Sequence, residues 1–385
     1  MPAWESDALI VDAVRSPIGK KNGSLASIRG DELAAQVLNA LVGRSDLEPG
    51  EVEDVQLGCV TQIGEQGWNI GRMIPLVAGW PETVAGTTVD RQCGSSMQAS
   101  FNAATAIWSG QLDVIVSAGV EMMSRVPMGS NGGDLSARLL DLWQIVPQGI
   151  SAEVLAEEWG FSREELDAFS LESHRRAVAA GDEGRFADEL VPVDLTNPHT
   201  GVVLDVDETP RRDTSAEALA ALKPAFRQDG RVTAGNSSQI CDGAAAVLLT
   251  SERAAARLEL EPRARFLSFG LSGVDPYRML HGNPQACAAA LARAGLSWDD
   301  ISVIEVNEAF ASVVLQFARD AGLEDRFDDI NPNGGGISLG HPLGATGARM
   351  TATLLNELER RGARYGIATM CIGFGQAIAG VVERL

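Results

Sequence analysis

Short apolar runs, each closed off by Gly, Pro, Asn, Asp or Ser, recur along the chain at 52–59, 89–92, 114–118, 202–206, 245–250, 301–306, 366–371 and 379–382. Runs of this length between turn residues read as strands. Longer stretches with apolar positions at helical spacing lie between them, at 31–41, 95–108, 152–159, 164–180, 284–294 and 348–361. In the second of these, Met97, Phe101, Ala104 and Trp108 fall on one face. Strands alternating with helices predict an α/β fold with largely parallel sheets.

The order of these elements repeats. A helix at 33–41 precedes Asp54-Val55-Gln56-Leu57-Gly58-Cys59, a Gly/Ser turn at 93–96, a second helix and Asp113-Val114-Ile115-Val116. A helix at 287–294 precedes Asp300-Ile301-Ser302-Val303-Ile304-Glu305, a Gly-rich turn at 334–341, a helix and Gly366-Ile367-Ala368-Thr369-Met370. Asp54 to Cys93 is 39 residues and Asp300 to His341 is 41. A duplicated α/β unit of this kind can bring two equivalent helix starts together at a pseudo-twofold axis. We divide the chain into an N-terminal α/β half at 1–121, completed by about 240–261, a charged loop or lid domain at 122–239, and a C-terminal α/β half at 262–385.

Composition narrows the class. With 385 residues, 45% hydrophobic and 22% charged, the chain has the balance of a soluble globular protein of two or three domains. No apolar run reaches the roughly 18 residues of a membrane span. The first seven residues are acidic and lack a signal-peptide layout, so a cytoplasmic location is expected. A net charge of −21 argues against binding nucleic acid or anionic lipid. The charge is uneven: 151–210 holds fifteen acidic against four basic residues, whereas 211–231 holds five basic against three acidic. That basic strip can admit a small anionic ligand.

Five widely spaced cysteines (Cys59, Cys93, Cys241, Cys287, Cys371) argue against a disulfide framework. The four histidines (His174, His199, His281, His341) show no metal-ligand spacing, and no metal is expected. Cys93 lies where a strand gives way to a helix, in Gln92-Cys93-Gly94-Ser95-Ser96. Exposed N–H groups at a helix start lower a thiol's pKa. His341, in Gly340-His341-Pro342, opens the corresponding helix of the second repeat and has the pKa range of a general base. Cys371 ends a strand before Ile372-Gly373, where backbone N–H groups can line an oxyanion site. Asn307, in Asn307-Glu308-Ala309-Phe310, follows a strand and can hold a water or cap the next helix. Arg211, Phe226 and the small residues around Ala234 and Ser238 suit a purine and a narrow channel. Taken alone, Cys93 and Cys371 read first as buried structural cysteines, and the other segments as packing or turn structure as readily as chemistry. Phosphate-loop and dinucleotide fingerprints are absent.

In combination, Cys93-Gly94-Ser95, Asn307-Glu308-Ala309-Phe310, Gly340-His341-Pro342 and Cys371-x-Gly373 resemble the thiolase family of acyltransferases, over essentially the whole chain. The resemblance implies a duplicated α-β-α-β-α layered core with an inserted loop domain. It implies Cys93 as acyl-accepting nucleophile, His341 as its base, Cys371 as acid/base at the α-carbon and Asn307 as holder of an oxyanion-site water. The backbone N–H groups of Cys93 and Gly373 would form the other oxyanion site. Arg211, Phe226, Ala234 and Ser238 match CoA-contacting positions. CoA and acyl-CoA would be substrates, with no cofactor, and a homodimer or homotetramer is expected.

Two departures stand out. Phe374 interrupts the family's Cys-x-Gly-Gly-Gly, and Pro147-Gln148-Gly149 stands where short-chain biosynthetic members carry His-Met-Gly. The stretches 58–66 and 237–243 look closer to thiolases of bulky, steroid-derived acyl-CoAs. The expected activity is CoA-dependent cleavage of a 3-ketoacyl-CoA through acyl-Cys93, in fatty-acid or steroid degradation. The alternatives are a biosynthetic acetyl-CoA acetyltransferase and a catalytically impaired lipid binder. A ketosynthase-type enzyme would want two histidines where this chain offers Asn307 and Cys371.

Overall fold

The computed structural model describes residues 6–196 and 202–385. The first five residues, within the acidic start that bears on location, and His199 lie outside the described residues.

The N-terminal half runs β1 (Ala8–Arg15), α1 (Gly30–Arg44), β2 (Asp54–Gly58), α2 (Ile70–Val77), β3 (Ala85–Val89), α3 (Ser95–Trp108) and β4 (Val114–Met122). Helices α4 (Gln148–Glu158) and α5 (Arg163–Asp182) follow, and β5 (Cys241–Thr250) returns to the sheet. The second half runs β6 (Ala264–Gly273), α6 (Asn283–Ala294), β7 (Val303–Val306), α7 (Ala311–Ala321), α8 (Thr346–Arg361), β8 (Tyr365–Ile372) and β9 (Gln376–Arg384).

The duplication is visible strand by strand. One half is ordered β3-β2-β4-β5-β1 and the other β7-β8-β9-β6, with a parallel bridge from Ile304 to Ile330 where the first half has β3. The halves join through an antiparallel pairing of residues 8–10 with 264–266. The sheet is mixed, which corrects the expectation of a largely parallel one. Only β2–β3, β2–β4 and β7–β8 are parallel, being joined by helical crossovers. β8 and β9 are linked by a tight turn, and β5 and β6 return from long excursions, so their pairings are antiparallel.

Alternation in the strands builds five layers. On β5, Ala244, Ala246 and Leu248 face α1, whereas Ala245, Val247 and Leu249 face a central layer made by α3 and α8. On β9, Ala377, Ala379 and Val381 pack on α6 and α7, whereas Ile378 and Val382 face the central layer. Strands buried on both faces explain why the apolar runs are continuous. The central helices touch at backbone distance: a Cβ on Gly347 would lie 2.3 Å from the Met97 nitrogen. Ala348 N–H donates to Ser96 Oγ across the same junction, at 3.0 Å. The two helix starts therefore meet, and the turns carrying Cys93 and His341 lie on one side of the molecule. Helices α4 and α5 pack against the second half, with Ser312 Oγ donating to the Ala152 carbonyl and Ser173 Oγ to Glu308.

Candidate active site

The strand expected at 89–92 ends at Val89, and residues 90–94 form the turn that presents Cys93. Gln92 takes a left-handed φ of 45°, held by its N–H donating to Asp90. Gly94 is pressed against Ile372 and Ile378, where a Cβ would lie 2.6 Å from Ile372 Cδ1. The Cys93 turn is thus seated on the end of β8, the strand that carries Cys371. Cys93 itself is buried beside Val60, Met123 and Leu343.

Burial reverses the expected direction of the Cys93 pKa. Loss of solvent around the sulfur pushes the thiol up to about 11. Hydrogen bonds from the Gly373 N–H, the Gln148 side chain and its own N–H pull the other way without prevailing. α3 starts only at Ser95, two residues on, so the helix start does not outweigh burial. Cys371 is also driven up, first by burial and then by the charge of Cys93, which places the two sulfurs within electrostatic reach. Its surroundings are Met279, Leu280, Ala309 and Phe310. A thiol held neutral there is a proton donor.

His341 is set by both halves. The turn that follows it is crowded against β2 and β4, where a Cβ on Gly344 would lie 2.7 Å from the Gly58 and Val120 carbonyls. Buried Glu121 ties the same turn down, accepting from the N–H groups of Gly344 at 2.9 Å, Val60 at 3.0 Å and Thr61 at 3.0 Å. The His341 ring is buried, and burial followed by the Arg349 charge lowers its pKa to about 3. The imidazole is therefore neutral.

Its tautomer follows from the hydrogen bonds. Thr346 Oγ1 donates to the Pro342 carbonyl at 2.9 Å and lies 2.6 Å from His341 Nδ1. With its own proton committed, the hydroxyl accepts, so the imidazole proton sits on Nδ1. Nε2 keeps its lone pair and lies 3.3 Å from Asn307 Nδ2, which can donate to it. Asn307 closes β7, its N–H bonded to the Thr369 carbonyl at 2.9 Å, and its buried Oδ1 has no protein partner. An acceptor of that kind suits a water. The adjacent Glu308 is structural, taking hydrogen bonds from Ser173, Asn331 and the Ile337 N–H.

The entrance is partly assembled from the remaining candidates. Phe226 packs edge-on against Phe310, with centroids 5.9 Å apart, and lies over Gly149, where a Cβ would meet the ring at 2.1 Å. Ser238 N–H donates to the Ala309 carbonyl at 2.9 Å. Ala234 is exposed in the turn that follows Thr233, whose partner across the loop is Pro224. Arg211 lies beside α5, its N–H on His174 Nδ1 at 3.1 Å, and its exposed side chain makes no ion pair among the described residues. Gln148, Thr346 and Glu121 were not among the sequence-derived candidates.

Phe374 has a left-handed φ of 65° and is 49% exposed. For a bulky residue that conformation is strained by about 1–2 kcal/mol. Phe374→Gly is expected to stabilise the protein by about 0.5–1 kcal/mol, part of the relief being offset by the freer unfolded chain. A lower denaturant midpoint in that variant would contradict the strain.

Comparison with known proteins follows the geometry. Residues 8–253 match the family model "Thiolase, N-terminal domain" and residues 260–384 match "Thiolase, C-terminal domain". The chain is 48% identical over 384 residues to the 3-ketoacyl-CoA thiolase of Acinetobacter baumannii (strain AYE), covering 98% of both. It is 47% identical, with the same coverage, to the 3-ketoacyl-CoA thiolase of Psychrobacter cryohalolentis. The crystal structure of the Bacillus anthracis acetyl-CoA acetyltransferase superposes with a TM-score of 0.92 at 40% identity, covering 100% of each chain.

Proposed function

The chain belongs to the thiolase family, and from that premise we propose that it is an acyltransferase cleaving a 3-ketoacyl-CoA with CoA, through acyl-Cys93, to acetyl-CoA or propionyl-CoA and a shortened acyl-CoA. The observation that carries this reading is the meeting of the two helix starts, which packs Cys93 beside Leu343 of the His341 turn and seats the Cys93 turn on Ile372, next to Cys371.

The steps balance within these groups. Cys93 gives its proton to His341 Nε2 as the sulfur adds to the ketone carbon. The resulting alkoxide collapses, the bond between the α- and β-carbons breaks, and its electron pair passes into the thioester enolate. Cys371 protonates the α-carbon and becomes a thiolate, and the first product leaves. The thiol of CoA then gives its proton to Cys371 and attacks acyl-Cys93. Cys93 departs as thiolate and takes back its proton from His341. The water suited to Asn307 Oδ1, with His341, would hold the enolate oxygen.

The same groups run the condensation backwards, but the 3-ketoacyl-CoA thiolase relatives favour degradation. Gln148 in place of Met supports a substrate other than acetoacetyl-CoA, and we read the acyl group as long or bulky, of fatty-acid or steroid type. CoA would enter past Phe226, Ala234 and Ser238, with Arg211 toward its phosphates. A cytoplasmic homo-oligomer is the setting we infer, and no helix of the described residues is long and apolar enough to cross a membrane. Intact-protein mass spectrometry with a panel of acyl-CoAs tests the reading. It should show one acyl adduct, mapping to Cys93 and released by CoA. Adducts elsewhere, or none, would refute it.

A further inference from the structure

Helix α8 is buried from Thr346 to Leu358, yet one of its faces is polar. Thr346, Arg349, Thr353 and Asn356 recur at helical spacing along it. Three of them are hydrogen-bonded across that face: Thr346 meets His341 Nδ1 at 2.6 Å, and Thr353 and Asn356 donate to Glu189 at 3.1 and 3.4 Å. Arg349 is different. It is 1% exposed, and its Nη1 lies 3.9 Å from Glu305 Oε2 on an equally buried side chain. Arg349 Nε and Nη1 make no hydrogen bond among the described residues, and neither does Glu305 Oε1. Glu305 belongs to β7, whose Ile304 and Val306 face α6 and α7 whereas Val303 faces α8. By strand alternation Glu305 and Asn307 share the Val303 face. Two rungs therefore link this strand to this helix. The outer one is Asn307–His341–Thr346, with steps of 3.3 and 2.6 Å, and the inner one is Glu305–Arg349.

Burying a guanidinium is unfavourable, and an ion pair this long, with so few hydrogen bonds, offsets little of that. Neutral side chains of similar volume would hold the fold as well, so stability alone does not account for the pair. Its placement does. Resting on the thiolase reading, we propose that Arg349 is a positioning residue for the reaction, whose buried pairing with Glu305 fixes the strand end carrying Asn307 against the helix start carrying Thr346 and so keeps His341 partnered on both ring nitrogens. A charge comes with that placement. Arginine stays cationic, and burial pushes the Glu305 carboxyl up, so the guanidinium is incompletely neutralised. After burial, it is this cation that disfavours a second proton on His341. An imidazolium formed beside it gives its proton back readily, as the return of a proton to Cys93 requires. The other charged groups facing the pair are Arg15 of β1, Glu308 after β7, Glu357 of α8 and Glu189. Around the His341 turn stand Glu121 of β4, which accepts from the Gly344 N–H at 2.9 Å, and Cys241 of β5, whose Sγ would lie 2.8 Å from a Cβ on Gly340.

Arg349→Met combined with Glu305→Gln keeps side-chain length at both positions and removes both charges. This double variant should melt as the original does. Its kcat of thiolysis should fall about tenfold or more, with KM for CoA within about twofold, because the base is no longer held in place. Followed by ¹⁵N NMR, its His341 ring should take up a second proton about one pH unit or more above the original midpoint near 3. Arg349→Lys keeps the charge, and since no bidentate hydrogen bond is at stake it should stay within about threefold of the original kcat. Glu305→Gln alone loses the anion and keeps the cation, so kcat should fall severalfold while the His341 midpoint does not rise. A purely structural pair predicts a lower melting midpoint with an unmoved titration. A double variant within twofold of the original kcat, or with an unshifted His341 midpoint, overturns the proposal. So does a raised midpoint in Glu305→Gln, which decides the matter if the double variant fails to fold. The acyl-Cys93 adduct of the unaltered protein keeps the two readings apart. If it forms and the double variant is unimpaired, only the role of Arg349 falls; if it does not form, the thiolase mechanism falls first.

Discussion

Cys93→Ala should reduce cleavage of a 3-ketoacyl-CoA by about five orders of magnitude or more, to the uncatalysed background, while leaving the melting behaviour nearly unchanged. Loss of a nucleophile that forms a covalent intermediate removes the route itself, so the deficit reaches that of deleting the whole catalytic set. The rest of the site is left in place, but the acyl group has nowhere to go. Cys93→Ser should be nearly as inactive, for a reason specific to this site. His341 is held neutral with a pKa near 3, a weak base, and the thiol it serves already rests at about 11. An alcohol is harder to deprotonate and less nucleophilic than a thiol, so it loses on both counts. The measurement is CoA-dependent loss of 3-ketoacyl-CoA together with the acyl adduct by mass. Activity above about 1% in Cys93→Ala would remove Cys93 from the mechanism.

The same residue shows what a sequence can carry and what it cannot. Its place ahead of a helix in the first repeat, matched by His341 in the second, was legible because both turns are local glycine-containing patterns at similar spacing, 39 and 41 residues after an equivalent strand start. Its charge state was not, because the Ile372, Ile378 and Leu343 side chains that enclose its turn come from residues more than 200 positions away. The strands that join the two halves were missed for a related reason. β1 and β6 carry Asp12, Arg15, Arg265 and Ser268, which break the apolar runs. Those polar groups are satisfied by distant partners: Arg15 by Glu189 and Asp207, Arg265 by Glu383. α2 was hidden by its internal Pro75. Gln148 and Thr346 gave only faint signals, one a departure from a family motif and the other a common residue at a helix start. Their roles exist only once α4 and the His341 turn are folded onto Cys93.

Thr346 supplies the second large effect, through His341. Removing the imidazole by His341→Ala should lower kcat about 10²–10⁴-fold, the usual worth of a positioned general base. Thr346→Val keeps the shape and deletes only the hydroxyl. The Nδ1–H then loses its acceptor in a buried site, which costs about 1–3 kcal/mol, and the imidazole shifts toward the tautomer with its proton on Nε2. That tautomer cannot take a proton from Cys93. A shift of about 1–3 kcal/mol changes the tautomer ratio about fivefold to 150-fold, so kcat should fall severalfold and by no more than that factor, while KM for CoA is unaffected. Thr346→Ser restores both the acceptor at Nδ1 and the donor to the Pro342 carbonyl, so it should recover activity to within about threefold of the original. A purely structural role at the start of α8 predicts a different outcome, in which valine and serine lower the melting midpoint and change kcat together. The ¹⁵N chemical shifts of the His341 ring distinguish the two directly. The unaltered protein should show the proton on Nδ1 at neutral pH, and Thr346→Val should show it redistributed. A ring protonated on Nε2 in the unaltered enzyme would mean that His341 is not the base for Cys93.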